Sequence, residues 1–167
     1  MWRTYASPNG ANVEKAIGVV GGGIMGCGIA EVAARSGCDV VLREVNEALV
    51  EASVRRLETS LDTAVRKTKL TVEERNDITQ RIRFTDRLEE LSGCDLVVEA
   101  VVEDLDVKTE IFAALDKIVG PDALISSNTS SLPIMRLAAA TDRPERVIRP
   151  ALLQSGAGNA AGRNHSV

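Results

Sequence analysis

The chain has 167 residues, enough for one domain that buries roughly two-thirds of the surface its unfolded form exposes. Hydrophobic residues make up 44% and charged residues 26%, the balance of a soluble α/β protein, which argues against disorder and against membrane residence. A net charge of -4 with both signs interspersed leaves no basic stripe for phosphates, so neither nucleic acid nor a membrane is an expected partner.

Taken in chain order, residues 1–15 carry Ser7-Pro8-Asn9-Gly10 and no apolar run long enough for a signal peptide, and are expected to form a flexible leader. Ala16-Ile17-Gly18-Val19-Val20 then reads as a buried parallel strand that halts at three glycines. A crossover helix is predicted over 24–36, with apolar side chains at Ile29, Val32 and Ala33 and a stop at Gly37. Asp39-Val40-Val41-Leu42 supplies a second strand. Asn46 can cap a long helix running to about Lys69, its apolar positions being Leu49, Val50, Leu57, Leu61 and Val65.

Thr71-Val72-Glu73-Glu74 has the spacing of a capping box and starts another helix. A third strand is expected over 82–84, a fourth over 96–102, a helix over 107–119, a fifth strand over 124–126 and a short helix over 133–140. Alternating strands and helices predict a doubly wound, mostly parallel sheet with helices on both faces, because right-handed crossovers return each strand beside an earlier one. The domain is bounded at 16–148, and 149–167 is expected to be an irregular tail. Cys27, Cys38 and Cys94 are odd in number and widely spaced, which favours reduced thiols in a cytoplasm-like compartment, and none is spaced like a metal ligand.

Gly21-Gly22-Gly23-Ile24-Met25-Gly26 fits G-x-G-x-x-G and lies between a strand and a helix, where that motif holds a dinucleotide. Gly21 allows the tight turn, Gly23 the approach of a pyrophosphate and Gly26 close packing of helix on strand. Free amides at the helix start would hold the anion. Glu44, at the end of the second strand, can accept hydrogen bonds from the adenosine ribose and repel a 2′-phosphate, so NAD is the expected cofactor in preference to NADP. Arg43 beside it could pair with such a phosphate, or be a solvated strand-end charge.

Three further stretches carry a resemblance: Gly26-Cys27-Gly28-Ile29-Ala30, then Asp95-Leu96-Val97-Val98-Glu99-Ala100-Val101-Val102-Glu103, and Ser127-Asn128-Thr129-Ser130-Ser131-Leu132. Together with the glycine loop they resemble the 3-hydroxyacyl-CoA dehydrogenases, including the bacterial 3-hydroxybutyryl-CoA enzymes, along residues 17–148. The resemblance implies a Rossmann domain and NAD-dependent oxidation of a 3-hydroxyacyl-CoA in fatty-acid or butanoate metabolism. It also implies a homodimer held and closed by a helical carboxyl-terminal domain; the cytoplasmic location expected for the chain comes from its cysteines. It implies cofactor contacts at Glu103 and Lys108, a contact to both cofactor and substrate at Ser130, and coenzyme A contacts at Ser60 and Lys67.

Read from the residues alone, Ser60 and Lys67 lie two turns apart on one helix face, which equally suits an exposed surface. Ser130, in a polar loop after a strand's carboxyl end, sits where doubly wound sheets bind ligands. Glu99 within a strand must be hydrogen-bonded or face a cleft, and the sequence does not choose between a structural and a site role.

After Ile148 the resemblance breaks. The family continues G-L-H-F-F-N-P, whose His is the base for the 3-hydroxyl, whereas this chain reads Arg149-Pro150-Ala151-Leu152-Leu153-Gln154. Ala151 stands at the His, Gln154 at the Asn, and Arg163 at the Glu that orients the His; His165 lies fourteen residues past the expected place. Codons such as CGG CCT GCA CTT CTT CAA TCC GGC for residues 149–156 also spell G-L-H-F-F-N-P when read one base later. Continuing that frame through Val167 permits A-P-V-M-Q-L-V-E-I-I-R, again the family pattern. The expectation is therefore a frameshifted, prematurely ended reading frame, or an error in the sequence of an intact gene. Its product would lack the base, the sixth strand's continuation and the helical domain, leaving apolar surface that favours aggregation. Two other readings stand beside it: a cofactor-binding module without turnover, and a different dehydrogenase of the hydroxyisobutyrate or phosphogluconate type, against which the S-N-T-S-S-L stretch argues.

Overall fold

The computed structural model describes residues 16–149. The expected leader and most of the tail, including Pro150, Ala151, Gln154, Arg163 and His165, lie outside the described residues. Six strands form one sheet in the order β3-β2-β1-β4-β5-β6, every pair parallel. They are β1 (Ala16–Val20), β2 (Asp39–Arg43), β3 (Ile82–Thr85), β4 (Leu96–Glu99), β5 (Leu124–Ser127) and β6 (Val147–Ile148). The helices between them are α1 (Ile24–Arg35), α2 (Glu47–Arg66), α3 (Val72–Arg81), α4 (Leu105–Ile118) and α5 (Ile134–Ala138). The strand order reverses between β1 and β4, and a crevice for a ligand opens at such a reversal, beyond the carboxyl ends of the strands.

Two cores flank the sheet because successive strand residues point to opposite faces. Val19, Val40 and Leu42 pack with Ala30 of α1, Leu57 and Leu61 of α2 and Ile78 of α3. Val20, Val41, Val97 and Ile125 pack on the other side with Phe112 and Leu115 of α4 and Leu137 of α5. Each fully buried side chain of this kind stabilises the fold by about 1.5–3 kcal/mol.

The helix ends follow from local chemistry. Asn46 Oδ1 accepts the Leu49 N–H at 3.0 Å, the cap expected for α2. Thr71 Oγ1 accepts the Glu74 N–H at 3.1 Å while Glu74 Oε2 accepts the Thr71 N–H at 2.8 Å, so the capping box is complete. Asp104 Oδ1 caps α4 by accepting from Asp106 and Val107.

Several boundaries and faces differ from the sequence expectation. The fourth strand ends at Glu99 instead of residue 102, where the Glu99 carboxylate takes the Val101 N–H at 2.6 Å in place of a neighbouring strand. The long helix ends at Arg66: Thr68 adopts a φ of 54°, so Lys67 is a cap beyond the helix and does not share a helical face with Ser60. Val32 and Leu49 are exposed, since α1 turns its small residues Ala30, Ala33 and Ala34 to the sheet and α2 buries Ser53, Leu57 and Leu61. Short 3-10 turns at Leu88–Leu91 and Pro144–Arg146 carry no sequence periodicity and went unpredicted. The sixth strand has two residues, Val147 opposite Ile125 and Ile148 opposite Ser126, and forms one edge of the sheet.

Candidate dinucleotide site

The glycine loop leaves β1 through Gly21, whose φ of 98° an L side chain rarely adopts. Its N–H donates to the Arg43 carbonyl at 2.9 Å, which ties the turn to the end of β2. Gly22 is enclosed: a Cβ there would fall 2.0 Å from Ser53 Oγ. Its N–H donates to Glu44 Oε1 at 2.6 Å, and its carbonyl accepts from Ser53 Oγ at 3.1 Å, Cys27 Sγ at 3.2 Å and Arg56. At Gly26 a Cβ would meet the Gly21 oxygen at 1.7 Å, so helix and loop touch through backbone alone.

Gly23 differs from these three. A Cβ on it would meet nothing within 4 Å, and the residue is exposed at the N-cap of α1. Among the described residues no side chain caps α1, and no acidic residue occupies its first turn. The leading amides of the twelve-residue helix therefore keep their donors and a positive end for an anion. A cradle closed on three sides by Gly21, Gly22 and Gly26, open at Gly23 and lined by free amides fits a pyrophosphate.

Glu44 is half-buried at the end of β2, fixed by the Gly22 N–H and by Ser53 Oγ at 3.4 Å. The carboxylate is thus held beside the loop. Arg43 is not a fully solvated strand-end charge: its Nε is buried and has no hydrogen-bond partner among the described residues. Burial raises the pKa of the Cys27 thiol, only partly offset by Arg56, so the thiol stays protonated as the donor to Gly22. Ser53 and Arg56 were missed by sequence reasoning. A signal existed for Ser53, which lies four residues before Leu57 and eight before Leu61, in the buried stripe of α2.

A second cluster sits over β4 and β5. Glu99 is fully buried and takes Lys108 Nζ at 2.7 Å on one oxygen and Ser127 Oγ at 2.6 Å on the other. Glu103 takes Lys108 Nζ at 3.3 Å, Ser131 Oγ at 2.9 Å and a hydrogen bond from Thr129 Oγ1. The hydrogen bond from Thr129 is the main cause, ahead of Ser131 and the Lys108 charge, that holds the Glu103 carboxyl below its usual range. Ser130 is exposed, and its hydroxyl makes no hydrogen bond to the described residues. Glu103, Lys108 and Ser130 are thus brought to one loop cluster, although Lys108 is 1% exposed and enclosed by its carboxylate partners. Ser60 and Lys67 stand apart: Ser60 Oγ donates to Glu31 at 3.1 Å and Lys67 is exposed beyond α2.

Comparison with known proteins agrees with this geometry. Residues 16–150 match the family described as 3-hydroxyacyl-CoA dehydrogenase, NAD binding domain. The chain is 53% identical over 133 residues to the 3-hydroxybutyryl-CoA dehydrogenase of Mycobacterium tuberculosis, covering 79% of this chain and 46% of that protein. It is 44% identical over 138 residues to the Bradyrhizobium diazoefficiens enzyme of the same name, covering 83% of this chain and 47% of that protein. Among solved structures, M. tuberculosis FadB2 superposes with a TM-score of 0.80 at 51% identity, over 82% of this chain and 48% of that one. The (S)-3-hydroxybutyryl-CoA dehydrogenase PaaH1 of Ralstonia eutropha gives 0.79 at 38% identity, with the same coverage of each chain. The chain spans about half the length of the curated relatives it matches. With its parallel sheet, its glycine loop and its match along residues 16–150, the chain belongs to the 3-hydroxyacyl-CoA dehydrogenase family and forms that family's NAD-binding domain.

Proposed function

We propose that this chain is the cofactor half of an NAD-dependent oxidoreductase that interconverts a 3-hydroxyacyl-CoA and its 3-oxo form, such as 3-hydroxybutyryl-CoA and acetoacetyl-CoA. The observation that carries the reading is the open cradle at Gly23 beside a fixed Glu44. In this reading Gly21, Gly22, Gly23, Ile24, Met25 and Gly26 hold the pyrophosphate, and Glu44 binds the adenosine ribose. Ser130, whose hydroxyl is left over from the loop's own bonding, meets the nicotinamide end and the substrate. Glu103 and Lys108 support that end of the site, and Ser60 and Lys67 belong to the coenzyme A path. Bound NAD would supply the hydride acceptor, while the residues of this chain bind and orient it; removing the hydroxyl proton needs a base from outside these residues.

The reading frame favours binding without turnover for the chain as written, because Ala151 stands where the family has its His base. A general base contributes about 10²- to 10⁴-fold. A gene that resumes G-L-H-F-F-N-P one base later would place a His at position 151 and continue the sixth strand in the family pattern, leading toward the helical domain through which the family dimerises. The test is 3-hydroxybutyryl-CoA oxidation followed as NADH absorbance, on this chain and on a copy with the frame restored after Ile148. Turnover by the restored copy alone supports both the activity and the frame. Turnover by the chain as written overturns the assignment of the missing base, and turnover by neither overturns the substrate.

A further inference from the structure

Glu99 is a fully buried carboxylate at the carboxyl end of β4, which borders the reversal point of the sheet. A buried ion pair is no more stabilising than well-packed apolar side chains of similar volume, so stability alone gives little reason for one here. What the pair does supply is direction. Glu99 Oε1 takes Lys108 Nζ at 2.7 Å and the Val101 N–H at 2.6 Å, and Oε2 takes Ser127 Oγ at 2.6 Å. One carboxylate therefore fixes three segments: the turn after β4, the first helical turn of α4 and the end of β5.

From those segments the order passes outward. Ser127 Oγ accepts the Thr129 N–H at 3.2 Å, Thr129 Oγ1 accepts the Leu132 N–H at 3.0 Å, and Lys108 reaches across to Glu103. Glu103 then takes the hydroxyls of Thr129 and Ser131. Hydroxyls 127, 129 and 131 are all turned to carboxylates, and Ser130 between them is left exposed. We infer that Glu99 is a positioning residue: through Ser127 it sets the loop that presents Ser130, and through Lys108 it sets Glu103, without touching a ligand itself. The inference rests on the reading that residues 128–132 face the nicotinamide end of bound NAD.

The test uses the complete chain and two ligands, NADH and ADP-ribose, which shares the adenosine and pyrophosphate but lacks nicotinamide. If the unmodified chain binds neither, the cofactor reading falls and the inference with it. Given binding of both, Glu99→Gln and Ser127→Ala are each expected to weaken NADH about tenfold and to change ADP-ribose by less than about twofold, because the glycine loop and Glu44 are untouched. The double variant should be no weaker than the worse single one, since both changes cut the same connection. Equal weakening of both ligands would mean a general loss of structure, and no weakening of NADH would mean that Glu99 positions nothing; either overturns the inference. Ser127→Ala leaves the ion pair whole, so it decides the matter if Glu99→Gln fails to fold.

Discussion

The four glycines of the loop look alike in sequence and differ in what surrounds them. At Gly26 a methyl group would strike the Gly21 oxygen, and backbone cannot step aside as the tip of a side chain can. Gly26→Ala should therefore lower the melting temperature and abolish NADH binding together. Gly23→Ala should melt within a few degrees of the parent, because its methyl enters open space, yet lose NADH affinity because that space is where the pyrophosphate must approach. Thermal melts and NADH titrations of both variants check the contrast, and a Gly23→Ala variant with parental affinity would remove the cradle from the site. Glu103 adds a prediction in pH. Its carboxyl is held low in the folded state, so its bonds to Thr129 and Ser131 stabilise the fold above the ordinary glutamate pKa of about 4.3 and are lost as pH falls through the folded value. Urea midpoints of the parent should exceed those of Glu103→Gln at pH 7, with the gap narrowing below pH ~4. A gap independent of pH would assign the effect to shape alone.

At the scale of elements, the Asn46 cap is the clearest place to weigh a local signal. Asn46→Ala removes the acceptor of the Leu49 N–H and should cost about 1 kcal/mol, measured as a lower denaturation midpoint with an unchanged slope. A loss within experimental scatter would mean that the tertiary packing of Leu57 and Leu61 fixes α2 by itself. The type and order of the main elements were legible in the sequence, because hydrophobic period, caps and glycine stops are local properties. The errors fell where a distant partner decides. The end of β4 depends on Glu99, itself held by Lys108 of α4, taking the Val101 N–H, and the face of α2 depends on Ser53 finding a carbonyl thirty-one residues away. For the candidate site, the placement of the glycine loop and Glu44 between β1, α1 and β2 was readable from spacing, and the proximity of Glu103 and Lys108 to the loop of Ser130 was suggested by the resemblance. The roles of Ser53, Arg56 and Ser127 were not, since a serine or arginine shows nothing of its partner until the chain is folded.

At the scale of the molecule, several large apolar side chains remain on the outside. Ile24 is 82% and Met135 74% exposed, with Val32, Val102 and Val107 also at the surface. We expect the purified chain to self-associate as concentration rises, visible by light scattering after size exclusion; a monodisperse monomer across the range would count against that.

The parallel order of the sheet also has a consequence for how the polypeptide is made. Among the described residues no two neighbouring strands are joined by a hairpin, and β1, made before the other five, is the one flanked by β2 and β4. About 75 residues separate Val20 from Leu96, so at 5–20 residues per second one edge of β1 stays unpaired for about 4–15 s of synthesis. During that interval Gly18-Val19-Val20 presents open backbone to whatever surrounds the nascent chain, and the arrival of β4 closes both flanks of β1 and forms the crevice at the reversal.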